Sequence, residues 1–237
     1  MEDPGRRSAS CAFGRLRLTG RPAAVLGRSQ NRNLRRTNGV TRCSRTLVLA
    51  YGVGVSRPTL TTERLLLRPL AADDFEELVA LHAEESFWKY PFGRGWSRQE
   101  TETFLNRVVD HYREPGVEVS AVVVKATGEL AGWAGLSIPT FLPSILPAVE
   151  VGWRLGERHR GYGFATEAGK AWVRHGFEAL GLETIVSIYE PENLASGAVM
   201  RRLGFHLERE EVHPGFGVRL HVMGLSRTLW ETAEAAE

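Results

Sequence analysis

Residues 149–170, VEVGWRLGERHRGYGFATEAGK, constrain the fold more than any other stretch of the chain. Val149, Val151 and Trp153 alternate with Glu150, Gly152 and Arg154, the period-two pattern of a strand with one apolar face. After Gly156 come Arg158, His159, Arg160, Gly161, Tyr162 and Gly163, and then a run in which Phe164, Ala168, Ala171, Trp172 and His175 share one helical face. A strand that passes through a basic glycine turn into a helix is an anion site, because the first helical turn leaves N–H groups unpaired at the positive end of the dipole. Gly161 and Gly163 let the backbone approach a phosphate closely, and Arg158 and Arg160 add charge. The turn lacks a Gly-Lys-Ser/Thr ending, and the third residue after Gly163 is Thr166 rather than glycine. Neither the mononucleotide loop nor the dinucleotide fingerprint is met, which points away from ATP and NAD.

Arg158-x-x-Gly161-x-Gly163-x-Ala165, preceded by Glu150-Val-Gly-Trp153 and followed by Thr166-Glu167-Ala168, resembles the acetyl-coenzyme A pyrophosphate loop of the GNAT acetyltransferases. It is most similar to the RimJ/RimL-type branch, whose members acetylate protein N-termini or small amines. The likeness runs over residues 58–230, through TERLLLRP at 62–69, TGELAG at 127–132, Asn193-Leu-Ala-Ser196 and Leu203-Gly-Phe205. It implies an α/β domain of GNAT fold over residues 58–232, a mixed, strongly bent sheet flanked by helices, with acetyl-coenzyme A as co-substrate. It further implies that backbone N–H groups near Gly152 and Trp153 meet the thioester carbonyl and pantetheine. Arg158, His159, Arg160, Gly161, Tyr162, Gly163, Phe164, Ala165 and Thr166 would hold the pyrophosphate, and Asn193 and Ser196 would complete the cofactor contacts.

Acetyl transfer to an amine needs a neutral amine, donors aimed at the thioester carbonyl, and a proton for the departing thiolate. An α-amino group with a pKa near 8 is roughly a tenth neutral at pH 7, whereas a lysine near 10.4 is neutral in less than about one molecule in a thousand. An N-terminal substrate therefore asks only for a modest base. Glu150, on the polar face of the strand, is the candidate, acting directly or through water; the competing reading is a salt-bridged surface glutamate. Many GNAT enzymes protonate the thiolate with a tyrosine about seven residues beyond the asparagine, and Met200 stands there instead. In the RimJ/RimL-like pattern Ser196 would be the proton donor, while the competing reading has Asn193 and Ser196 merely cap a helix. Gly152 reads either as a site of close ligand approach or as a bulge. His82, His111, His175, His206, His213 and His221 show no metal-ligand spacing, and His159 is expected to face solvent or phosphate. The first acceptor is a protein N-terminal α-amine, for example of a ribosomal protein. A small amine or aminoglycoside-type acceptor is the alternative, and a GNAT-fold module that binds acyl-coenzyme A without turnover is the rival from another class.

Residues 1–57 carry twelve arginines, no lysine and only Glu2 and Asp3 as acids, while the rest of the chain sets 18 basic residues against 26 acidic ones. A domain of net charge −8 repels nucleic acid and attracts cationic amines or basic protein tails. The basic leader has too little apolar content to order itself. Three readings of it stay open: upstream sequence from a misplaced start, a basic arm contacting RNA, or a transit peptide. Cys11 and Cys43 both lie in it, which excludes a disulfide framework, thiolate metal sites and a cysteine nucleophile from the domain and fits a reducing, cytoplasmic setting. No run of 18 apolar residues exists, so no membrane-spanning helix is expected. The RimJ/RimL-like branch often dimerises, so a homodimer is compatible with the resemblance.

Along the domain, residues 60–70 read as a first strand, and Asp73 as the cap of a helix bearing Phe75, Leu78, Val79 and Leu81. The aromatic stretch 86–96 reads as core or as the flank of an acceptor groove. Ser97 with Glu100 forms a capping box for a helix buried through Phe104, Leu105, Val108 and Val109. Residues 117–125 and 130–138 form a hairpin about Thr127-Gly128. The proline-rich loop 139–147 reads as an exposed lid or oligomer contact. Strands follow at 184–189 and 220–225, a helix at 195–203 stopped by Gly204, and a polar tail from Trp230.

Overall fold

The structure is a computed structural model, and it describes residues 57–110 and 117–236. The leader, with Cys11 and Cys43, lies outside the described residues, as does His111. Arg57, assigned to the leader from composition, belongs to the folded part: its guanidinium donates to the carbonyls of Leu70, Val108 and Val109 at 2.7–3.1 Å.

One eight-stranded sheet organises the domain: β1 (Leu60–Thr61), β2 (Leu65–Pro69), β3 (Val117–Val124), β4 (Leu130–Ser137), β5 (Glu150–Leu155), β6 (Thr184–Tyr189), β7 (His206–Val212) and β8 (Arg219–Ser226). Their spatial order is β1-β2-β3-β4-β5-β6-β8-β7, antiparallel throughout except for the parallel pair β5–β6. The expected first strand is two, because Thr62 turns the chain between them, its hydroxyl and amide both meeting the Leu65 carbonyl. Strand β7 carries no apolar alternation and has no counterpart in the sequence reading; it is held at the sheet edge by backbone pairing to β8.

Helices cover both faces. On one lie α1 (Phe75–Ala83) and α2 (Arg98–Asp110); on the other lies α3 (Phe164–Glu178), packed against β2, β4 and β5. Two large core clusters follow, one around Trp172, Phe177, Leu65, Leu67 and Val151 beneath α3, the other around Leu78, Leu105, Phe87 and Trp88 beneath α1 and α2, and a smaller third gathers Leu142, Val186, Leu220 and Val222. The capping box at α2 forms as expected: Ser97 N–H donates to Glu100 at 2.8 Å and Glu100 N–H donates to the Ser97 hydroxyl at 3.3 Å. Val109 is 38 % exposed, and Thr101 takes the buried place instead. At the first helix Asp74 rather than Asp73 does the capping, accepting from Ala71 N–H while paired with Arg68 at 2.6 Å.

Helix α4 (Leu194–Arg202) ends at Gly204 with φ 87°, as the sequence predicts. The acidic tail is corrected. Ser226 caps α5 (Arg227–Glu234), and Trp230 docks on Phe177 with ring centroids 5.2 Å apart. In the loop 139–147 only the exposure is corrected, and only in part: Leu142 is buried and Phe141 stacks on His213, against β6 and β8, while Leu146 is 39 % exposed.

Candidate active site

The parallel pair β5–β6 is where the sheet comes apart. Val186 N–H donates to the Val149 carbonyl at 2.9 Å and Glu150 stands opposite Val186, after which no further ladder pair forms. The Ser187 hydroxyl bridges to the Val151 carbonyl at 2.8 Å, and beyond it the two strands diverge as a wedge. The direction of the backbone groups in β5 follows from its partners. Gly156 N–H pairs with Ala131 of β4, and the antiparallel register sets Arg154 against Trp133 and Gly152 against Gly135. Alternation therefore turns Val151 and Trp153 away from β4, and the N–H of Trp153 opens into the wedge without a strand partner.

The side chains of β5 divide as the sequence pattern requires. Val151, Trp153 and Leu155 pack toward α3, while Glu150, Gly152 and Arg154 share the opposite face. The ladder through Gly152 is unbroken, which rules out a bulge there, and a Cβ at this position would meet nothing within 4 Å. The missing side chain leaves open space between a carboxylate and a guanidinium.

Two cavities meet at the wedge. The larger, about 850 Å³, runs along the N-terminus of α3. Gly161 and Gly163 turn into this helix at φ 83° and 82°, and Gly163 caps it without a side chain, so the amides of the first turn remain for an anion. A clamp holds the turn in place. Glu167 accepts from the Thr62 hydroxyl, from Arg64 N–H and from the Arg64 guanidinium, which also reaches the Tyr162 carbonyl at 2.8 Å. Of the residues the sequence assigned to the cofactor, Trp153, His159, Arg160, Gly161, Gly163, Phe164, Ala165, Thr166, Asn193 and Ser196 line this cleft.

Two residues of the turn stand back from the cleft, and a third is held by an acidic partner. Arg158 lies outside the cleft lining, 63 % exposed and 3.6 Å from Glu129. Tyr162 is exposed too and stacks on Phe164. His159 does not face solvent: its side chain is buried, with Nε2 3.2 Å from Glu129, whose carboxyl the histidine and Arg158 hold below the usual carboxylate range. Arg160 spends its guanidinium on the Leu155 and Ser86 carbonyls, so it shapes the cleft wall.

The smaller cavity, about 300 Å³, occupies the opposite side of β5 and includes Glu150, Gly152, Glu190, Tyr189 and His213 among aromatic rings. Tyr90, Trp153, Arg154, Asn193 and Ser196 border both cavities and form the junction. Burial raises the Glu150 carboxyl to about 7, against the opposing pull of Arg154 and a backbone hydrogen bond at Ile188. Burial also lowers Arg154 to about 10, leaving it charged at neutral pH. Arg154 donates to the carbonyls of Phe87 and Tyr90 and lies 4.4 Å over the Trp88 ring, which ties residues 86–96 to β5. Phe87 and Trp88 are buried in the core, and Trp88, Tyr90, Phe92 and Trp96 line the smaller cavity.

Asn193 caps α4 by accepting from Ser196 N–H at 3.2 Å, so the capping reading holds for Asn193 while the Ser196 side chain stays at the junction. Gly197 is explained by Tyr189, whose ring would lie 2.7 Å from a Cβ at this position. Sequence reasoning missed Arg154, Glu190 and the Arg64–Glu167 clamp. The first shares the polar face already legible in β5, whereas the clamp joins residues 103 apart and has no local signature. Among the described residues no group of His, Cys, Asp or Glu could hold a metal ion, and no helix is long and apolar enough to cross a membrane.

Comparison with known proteins agrees with this geometry. Residues 64–206 match the model of the acetyltransferase (GNAT) domain. The uncharacterized N-acetyltransferase p20 of Bacillus licheniformis is 30% identical over 154 residues, covering 63% of this chain and 83% of that protein. The FsC-acetyl coenzyme A-N(2)-transacetylase of Aspergillus fumigatus is 32% identical over 162 residues, covering 65% and 67%. The crystal structure of an acetyltransferase from Agrobacterium tumefaciens superposes with a TM-score of 0.60 at 30% identity, covering 74% of this chain and 98% of that one.

Proposed function

Since this chain belongs to the GNAT acetyltransferase family and is an acetyl-coenzyme A-dependent N-acetyltransferase, we propose that it acetylates a primary amine of α-amino basicity, with Glu150 as base and Ser196 as acid. The observation that carries this reading is Glu150, raised to about 7 on the face of β5 that lines the second cavity, on the same strand as Trp153 and Arg154, which border both cavities. A carboxylate of that basicity can take a proton from an α-ammonium with a pKa near 8, whereas a lysine near 10.4 lies about three units above it.

Acetyl-coenzyme A supplies the activated acetyl group. The amides at the start of α3 and the clamped glycine turn bind its pyrophosphate, and Trp153 N–H is aimed to donate to the thioester carbonyl. Glu150 removes the ammonium proton, and the neutral nitrogen forms the new bond to the carbonyl carbon. As the carbon–sulfur bond breaks, the Ser196 hydroxyl gives its proton to the sulfur and takes in turn the second proton that the attacking nitrogen sheds on becoming an amide, so the hydroxyl is restored and coenzyme A leaves as the thiol. Both substrates are present together, because the two cavities open on one junction from opposite sides of β5.

The RimJ/RimL-type reading makes a protein N-terminus the first acceptor to test. A small amine is the second, favoured by the modest size and aromatic walls of the cavity. An aminoglycoside fits poorly, since its several ammonium groups would find two carboxylates in the lining. The test is thiol release from acetyl-coenzyme A over a panel of peptides and small amines. Release that falls by about 10²-fold or more in Glu150→Gln supports the assignment. An absence of release with every acceptor, while acetyl-coenzyme A still raises the melting temperature, would return the protein to the binding-module reading.

A further inference from the structure

The second cavity is built for more than an amine. Glu150 and a route to the acetyl group would suffice for that, yet the walls are aromatic and tightly packed. Trp88 and Trp96 stack with centroids 3.6 Å apart and planes 13° apart, Phe104 lies 5.8 Å from Trp133, and Phe92 meets Phe216 edge-on at 5.4 Å. Charge is confined to the wedge end, where Glu150 enters from β5 and Glu190 from the residue after β6, with Arg154 beside them.

Glu190 is the informative residue. Its Oε1 is buried and has no hydrogen-bond partner in the structure, while Nη1 and Nη2 of the nearby Arg154 each donate to a backbone carbonyl, of Phe87 and Tyr90. A buried carboxylate oxygen without a donor is costly, and a ligand ammonium relieves that cost. The apolar walls offer no second place for charge, and 300 Å³ accommodates one ring with a short linker.

Resting on the acetyltransfer reading above, we propose that this cavity selects a primary amine carried one or two carbons from a single aromatic ring, with its ammonium lodged between Glu150 and Glu190 and its ring among the aromatic walls. Glu190 is then a specificity residue that holds the nitrogen beside the base. Ring-on-ring contact in offset or edge geometry favours an aromatic body over an aliphatic one of equal area. A polyamine is disfavoured, since its further ammonium groups would be desolvated against the rings. A free arylalkylamine and a peptide whose first residue is aromatic offer the cavity the same ring and ammonium, but only the peptide has the α-amino basicity that suits Glu150, so binding tests both and rapid transfer is expected of the peptide.

The experiment uses the full chain saturated with coenzyme A. Phenethylamine, a Phe-first tripeptide amide, a Ser-first tripeptide amide and spermidine are titrated by calorimetry, and acetyl transfer to the same four is measured separately. The aromatic amines are expected to bind at least about tenfold tighter than the other two. Glu190→Gln should weaken them about tenfold while acetyl-coenzyme A affinity stays unchanged, and Phe216→Ala, at a rim position 39 % exposed where folding is little at risk, should reduce the aromatic preference. Whichever of phenethylamine and the Phe-first peptide binds more tightly identifies the source. Equal or tighter binding of spermidine or the Ser-first peptide, or no effect of Glu190→Gln, overturns the inference even if transfer occurs. Aromatic binding with no transfer to any amine supports it and overturns the acetyltransfer reading instead.

Discussion

Glu150, the proposed base, holds a raised pKa at a cost to stability. Its folded pKa, about 7, exceeds the ordinary 4.5, so the folded state binds the proton more tightly. Stability is therefore fully present below pH 4.5, declines as pH rises toward 7, and stays reduced above it. Glu150→Gln removes that decline: at pH 8 its melting temperature should exceed that of the parent by up to about 10 °C, the gap closing by pH 5. In the same protein, acetyl transfer by the parent should rise with pH through about 7 as the carboxylate forms, and Glu150→Gln should lose that limb along with most of its rate. Gly197 makes the opposite trade. The sequence marks it as a costly residue inside a helix, and only the structure shows that a methyl there would run into Tyr189. Gly197→Ala should lower stability by about 1–3 kcal/mol despite the better helix propensity of alanine, as measured by denaturant unfolding.

Among the elements, those with a single buried face were legible. The alternation in β5 placed Glu150 and Arg154 on one side, and the capping box at Ser97 marked the start of α2. Strand β7 was not legible because HLEREEV is exposed almost throughout; its place is set by backbone pairing, which leaves no side-chain period. Helix α5 was hidden for a related reason, since its attachment rests on Trp230 and the Ser226 cap within an acidic, polar stretch. The half-buried Trp230 holds this helix over Phe177, so Trp230→Ala should cost about 2 kcal/mol, below the range for a fully buried tryptophan, and should free the C-terminal helix to proteolysis first. The loop 139–147 misled for a different reason, because its apolar residues meet β6 and β8, partners that lie far along the chain.

At the level of the whole molecule, the two large core clusters sit on opposite faces of one sheet, and the second encloses His82. This histidine is fully buried, with Nδ1 3.1 Å from the Thr101 hydroxyl and four aromatic rings at 5.1–5.3 Å. Burial depresses its pKa from 6.5 to about 3, so its contribution is present above pH 6.5 and is lost as pH falls from there toward 3. About 2 kcal/mol should go between pH 6.5 and 5. His82→Gln, though less stable at pH 8, should show a shallower acid limb in thermal unfolding. The charged edge strand β7 also discourages edge-to-edge association, through Glu208, Arg209, Glu210 and Glu211. The divergence of β5 from β6 carries a last consequence. The N–H of Trp153 sits in the middle of a sheet yet has no strand to bind it, so it should exchange with deuterium far faster than its neighbours in β5. Saturation with acetyl-coenzyme A should slow that one amide selectively, making it a spectroscopic reporter of occupancy that requires no label and no turnover.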